Sequence, residues 1–183
     1  MSDWRLTPDN AALLVVDVQE KLMAAMPRRA ETVAACVRLT VAAKILSLPI
    51  LLTAQYPRGL GPVCPEITTA APGVMPLEKL AFSCCGAEAF TQSFRQLRRK
   101  RVLIAGVEAH VCVQQTVIDL MALDCFPYVC ADAVCSRRDL DRDVALARMR
   151  DCGAVITTVE SAVFELLREA GTDQFKACLP LFK

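Results

Sequence analysis

The sequence predicts an α/β fold in which a mostly parallel sheet carries helices on both faces. Short apolar runs alternate with segments of helical period from one end to the other. The runs are continuously apolar, as in AALLVVD and RVLIAG, which is the pattern of strands buried on both faces. Helical segments close on glycine, at Gly153 and Gly171, and strands separated by helices imply right-handed crossovers. A chain of 183 residues fits one domain, 1–183, with a sizeable core.

The elements follow in order. Residues 11–17, AALLVVD, form the first strand and end in an acid. The next segment sets Val33, Val37, Val41, Ile45 and Leu48 on one helical stripe. Pro49 ends that helix and opens the second strand, PILLTAQ. The proline- and glycine-rich stretch from Tyr56 to Pro76 is expected to be a loop, and structureless loops of that length usually cover a site or a partner. The short segment LEKLAFS follows, then a helix in GAEAFTQSFRQLRR with Phe90, Phe94 and Leu97 on one face. RVLIAG (101–106) is a strand, and HVCVQQTVIDLMAL is a helix with Val113, Val117 and Leu120 in register. PYVCADAV and AVITTV are the last two strands, separated by the helix DLDRDVALARMRDCG, and ESAVFELLREAG is the final clear helix. Apolar residues in the tail TDQFKACLPLFK point to packing on a neighbour.

Composition excludes several classes. Twenty-one basic and twenty acidic residues nearly cancel, so neither nucleic acid nor an anionic membrane is an expected partner. The basic cluster RQLRRKR reads as the solvated C-terminal end of a helix. No run approaches the roughly 18 apolar residues of a spanning helix, and MSDWRLTPDN has no apolar leader core. A cytoplasmic location is therefore expected. An apolar share of 54% and a mean hydropathy of +0.36 predict a homo-oligomeric interface besides the core. The ten cysteines are expected to be reduced, since a chain with this much apolar sequence needs no disulfide framework. There is no C-x2-C pair and only one histidine, so no metal and no cofactor is expected.

In open parallel sheets ligands bind beyond the carboxyl ends of the strands where strand order reverses. That rule selects Asp17, Gln55 and the 106–112 turn. Cys112 in the first turn of a helix is open to two readings. The free N–H groups and dipole there would lower a thiol's pKa and make a nucleophile; yet free cysteine is among the most buried residue types. Asp17 is either the proton acceptor for such a thiol or a helix cap. Lys79, flanked by apolar residues, either holds both groups in their anionic forms or snorkels from a strand. His110 and Cys112, two apart on a helix, cannot readily bond side chain to side chain. His110 is expected instead as a cap, a pocket wall or an interface contact.

DVQ (17–19), TAQYPRGLG (53–61), EKLAFS (78–83), GVEAHVCVQQT (106–116), DAVCSRR (132–138) and TTVESAVFELL (157–167) occur in that order. Together they resemble the isochorismatase-like cysteine hydrolases along nearly the whole chain. The resemblance implies a Rossmann-like, three-layer αβα fold with six strands in the order 3-2-1-4-5-6 and a site between strands one and four. It implies Cys112 as nucleophile, Asp17 as general base and Lys79 as the cation assisting both. It further implies a cis peptide joining Val107 to Glu108, and oxyanion donors from the backbone N–H groups of Glu108 and Cys112. Gln19, Gln55, Tyr56, Phe82 and His110 would line the substrate pocket. The family's nicotinamidases bind a metal through an Asp-x-His pair and a further histidine after strand two. This chain reads AQYPRGLG there, which points to the metal-independent branch. The isochorismatases proper lack the cysteine. The expected activity is hydrolysis of a small amide or related C–N or acyl compound through a thioester acyl-enzyme. The alternative is a catalytically silent member acting in metabolite binding or protein assembly.

Overall fold

The computed structural model describes residues 5–183. Strands β1 (Ala11–Val16), β2 (Ile50–Gln55), β3 (Leu77–Lys79), β4 (Arg101–Val107), β5 (Phe126–Cys135) and β6 (Val155–Thr157) form one sheet. Its order is β3-β2-β1-β4-β5-β6 and every pairing is parallel, as the resemblance implies. The helices are α1 (Glu20–Ala24), α2 (Arg29–Ile45), α3 (Pro57–Leu60), α4 (Pro65–Ala70), α5 (Glu88–Leu97), α6 (Gln114–Ala122), α7 (Asp139–Asp151), α8 (Val159–Leu167) and α9 (Asp173–Cys178).

Alternation along each strand builds two cores. Leu13 and Val15 of β1 and Leu103, Ala105 and Val107 of β4 point toward α2 and α8. Leu14, Val16, Val102 and Ile104 point the other way, toward α5, α6 and α7. Both faces of the central strands are thus covered, which is why their sequences read as unbroken apolar runs.

Three local expectations are corrected. Val33 and Leu48 are buried as expected, but the rest of the buried face of α2 is Thr32, Ala35, Cys36, Leu39, Thr40, Ala42 and Ala43, and Val37, Val41 and Ile45 are half-buried. Small residues let this helix lie close against the sheet: the Cys36 thiol donates to the Ala133 carbonyl at 3.4 Å. The stretch between Tyr56 and Pro76 is not structureless. It holds α3 and α4, each opened by a proline in its first turn, and Val63 makes an isolated bridge to Gln19. The tail packs on its own chain. Thr172 caps α9 by accepting from the Phe175 N–H, and Phe175 and Phe182 meet Phe164 edge-on with ring centres 6.1 and 5.8 Å away.

One glycine decides how the central strands approach. At Gly106, φ is +119°, and a Cβ would lie 2.0 Å from the Val16 carbonyl oxygen. Only glycine lets β4 run this close to β1 before turning away. The β4–β5 register also shifts between Ile104 and Gly106, so β5 bulges beside that point. The next peptide, Val107–Glu108, is cis.

Candidate active site

The carboxyl ends of β1, β2, β3 and β4 converge on one buried polar cluster. Asp17 follows β1 with φ 52°, a left-handed conformation that aspartate tolerates better than most residues. This turns its carboxylate off the strand line and toward β2 and β3. Oδ1 accepts from the Thr53 hydroxyl at 2.7 Å and Oδ2 accepts from Lys79 Nζ at 2.6 Å. The side chains of Lys79 and Asp17 are 1% and 0% exposed, so this is a fully desolvated ion pair. Such a pair persists only when its remaining hydrogen-bonding groups are satisfied. For Lys79 they are: Nζ also donates to Gln55 Oε1 at 2.6 Å and to the carbonyls of Phe82 and Ala81 at 3.0 and 3.3 Å. Three protons facing four acceptors leave none for a ligand.

Cys112 stands opposite, after β4. An α-helix is expected from this point; the structure has a wider π turn over Ala109–Val113 before α6 begins. The Val113 N–H bonds back to the Glu108 carbonyl, five residues away, at 3.2 Å. Thr116 braces the turn by donating to the Cys112 carbonyl at 2.7 Å and accepting from the Cys84 N–H at 2.9 Å. The Cys112 sulfur lies 4.0 Å from Gln55 Oε1. Burial pushes its thiol up to about 12, and the Asp17 charge and a hydrogen bond with Asp17 add to the rise, while Lys79 opposes it. This direction is opposite to the one a helix N-terminus alone suggests. Desolvation and a neighbouring carboxylate outweigh the dipole, so the resting thiol is neutral.

The structure thus brings Asp17, Lys79 and Cys112 together, with Gln55 touching both of the last two. The other residues singled out above divide into two sets. Gln19 is fully buried and committed to backbone: Oε1 accepts from the Gln55 N–H at 2.7 Å, and Nε2 donates to the carbonyls of Gln55 and Gly61 at 3.0 and 2.7 Å. It is a clamp holding the chain after β1 to β2, with no polar atom facing a pocket. Gln55 Nε2 is likewise spent on the Leu80 carbonyl at 2.7 Å. Tyr56 and Phe82 are 50% and 54% exposed at the rim. His110 turns from Cys112, its Nδ1 3.0 Å from the Ser136 hydroxyl. Glu108 is held by Arg137, whose Nε and backbone N–H donate to Oε2 at 3.0 and 3.2 Å.

A cavity of about 330 Å³ opens beside Lys79, lined by Tyr56, Pro57, Arg58, Glu78 and Leu80. A larger one, about 490 Å³, lies between Arg28, Asp132 and Arg142 and includes none of the clustered residues. Of the clustered residues the smaller cavity takes only Lys79 into its lining, and neither Asp17 nor Cys112; it is the chemistry of the cluster, rather than the size of either cavity, that marks the site. Among the described residues, no group of three or more His, Cys, Asp or Glu side chains is arranged around a metal position.

Sequence reasoning missed Thr53, Thr116 and Cys84. Thr53 lies inside a strand of high β propensity and Cys84 among ten cysteines, so neither stands out. Cys84 is fully buried, 3.8 Å from the Thr53 hydroxyl, and burial pushes its thiol up to about 11.

Comparison with known proteins supplies the remaining facts. A family model described as the isochorismatase domain matches residues 11–161. Mouse isochorismatase domain-containing protein 2A is 37% identical over 179 residues, covering 98% of this chain and 85% of the mouse protein. The structure of the MAR1 ribonuclease of Caenorhabditis elegans superposes with a TM-score of 0.92 at 35% identity, over 97% of this chain and 92% of that one. The Escherichia coli YcaC gene product, an octameric hydrolase of unknown specificity, superposes with a TM-score of 0.90 at 27% identity, over 97% and 89% of the two chains.

Proposed function

The chain belongs to the isochorismatase family of hydrolases, and from that premise we propose that it cleaves a small amide or related acyl compound with Cys112 as nucleophile. The observation that carries this reading is the desolvated Asp17–Lys79 pair, 2.6 Å apart, beside the Cys112 thiol. A buried carboxylate kept ionic by a fixed cation next to a neutral thiol is arranged for proton transfer.

In the first half-reaction the thiol proton moves to Asp17 as sulfur bonds to the carbonyl carbon. The C–N bond then breaks, and Asp17 returns the proton to the departing amine. A thioester on Cys112 remains. Water attacks it, giving one proton to Asp17; the acid leaves, and the proton returns to sulfur. Lys79 acts on Asp17 rather than on the substrate, because its protons are already taken. The backbone N–H groups of Glu108 and Cys112, where β4 passes into the π turn, are the donors we assign to the oxyanion. We assign Tyr56, which lines the cavity beside Lys79, together with Phe82 and His110 to contact with the substrate, and Gln55 sets the relation of Lys79 to Cys112.

The dense basic cluster RQLRRKR lies at the amino end of β4, opposite the carboxyl ends that carry Asp17 and Cys112, and the chain is near neutral overall, which favours a small-molecule substrate. Homo-oligomerisation is part of this reading, supported by the octameric YcaC and by the exposed Tyr56, Met75, Leu80 and Phe82 on the β3 side of the sheet.

The test is intact-mass spectrometry after incubation with pooled amides, imides and esters. We expect an acyl adduct on Cys112, lost in Cys112→Ala while that variant keeps its fold. Turnover near wild type in Cys112→Ala would overturn the proposal, as would an adduct on another cysteine.

A further inference from the structure

We propose that Thr53 is a positioning residue for this chemistry: its hydroxyl fixes the Asp17 carboxylate as the acceptor of the Cys112 proton. This rests on the reading of Asp17 as the base. Thr53 sits inside β2, 1% exposed, where most neighbours are apolar. A buried hydroxyl must spend its one proton on an acceptor. Its nearest oxygen partner, Asp17 Oδ1 at 2.7 Å, belongs to a carboxylate ion-paired with Lys79 and can only accept. The direction of this hydrogen bond is therefore settled.

Two consequences follow from that direction. First, both carboxylate oxygens are anchored, Oδ2 by Lys79 and Oδ1 by Thr53. With Lys79 alone the carboxylate could swing about its Cβ–Cγ bond; with both it is locked. Second, the Thr53 oxygen has only lone pairs left to offer, and the Cys84 thiol lies against it at 3.8 Å. The hydrogens therefore run from Cys84 to Thr53 to Asp17, and the hydroxyl stands between that thiol and the base. Cys112 meets Asp17 directly by a side-chain hydrogen bond, with Gln55 Oε1 4.0 Å from its sulfur. Two buried thiols thus flank one carboxylate, Cys84 through the Thr53 hydroxyl and Cys112 from the π turn.

The groups facing Asp17 are Lys79 from β3, Thr53 from β2, Cys84 from the 3-10 turn before α5, and Cys112 from the π turn. His110 is directed to Ser136 instead. Replacing Thr53 by valine keeps shape and strand propensity but removes the donor. Oδ1 is then a buried anionic oxygen without that partner, and such an oxygen takes up a proton more readily.

The probe is acrylamide: a thiolate adds to its terminal alkene carbon, the C=C π bond breaks and the carbon beside the carbonyl takes up a proton, so no natural substrate is required. Alkylation rates are followed by intact mass as a function of pH, and the site is mapped by peptide mass. In wild type the adduct is on Cys112, and Asp17→Asn slows it about tenfold or more. In Thr53→Val the acid limb of the profile moves to higher pH by about one unit, with the adduct still on Cys112. Thr53→Ala, which removes the same donor without new bulk, gives the same displacement, and Thr53→Ser restores the wild-type profile. A Thr53→Val profile that superimposes on wild type, with Asp17→Asn slowed, overturns the role of Thr53 and leaves the base reading standing. Unchanged alkylation in Asp17→Asn removes the base itself, and the Thr53 proposal with it.

Discussion

Lys79 and Asp17 hold each other in charged form inside the protein, and each is costly to leave alone. Lys79→Met strands a carboxylate with no exposed surface, and breaking a buried pair from one side costs about 3–5 kcal/mol. We expect a loss of that size in urea unfolding, with part of it recovered in the double variant Asp17→Asn, Lys79→Met, where no lone charge is left. Asp17, Lys79 and Cys112 were singled out in the sequence because charge at the end of an apolar run, or a thiol at a strand–helix junction, stands out; local pattern left each open to a structural role, and only the resemblance grouped them. Thr53 was not singled out, since threonine suits a strand whatever it touches. Gln19 sat in a recognisable motif, but its commitment to three backbone groups depends on where the chain returns more than thirty residues later. The direction of the Cys112 shift was illegible for the same reason, because burial is a tertiary quantity.

At the level of elements, the passage from β4 into the π turn places Cys112, and Gly106 makes that passage possible. Gly106→Ala adds a methyl into the Val16 backbone and also strains a φ of +119°. A destabilisation of about 3 kcal/mol or more is expected in chemical denaturation. The main strands and long helices were readable from period alone, as β1 and β4 show. The four residues of α3 and six of α4 are too short to display a helical period, so that region read as loop. The buried face of α2 was misjudged because valine looked more like core than the cysteine, threonine and alanines that permit close approach.

For the whole molecule, the buried thiols tie stability to alkaline pH. Burial raises Cys36 and Cys112 from the ordinary 9.0 to about 12, Cys84 to about 11, and Cys130 well above 9.0. The folded state holds these protons more tightly than the unfolded chain. Their contribution is therefore complete below about pH 9 and is lost as pH rises toward the folded values. Urea midpoints should fall steadily above about pH 9, as the unfolding free energy drops by an amount on the order of several kcal/mol over two pH units for several such groups. A flat midpoint across that range would contradict the buried, protonated state.

Lys79 is carried by β3, three residues at the outer margin of the sheet, and Asp17 by the end of a strand nearer its centre. The ion pair is thus a rivet between the interior and the rim. Margins of sheets open far more readily than centres, so the pair, and with it the chemistry proposed for it, has a lower threshold of failure than the fold that bears it. A second copy resting on the exposed Leu80 and Phe82 would pin that rim, and assembly would then set how much of the population is armed.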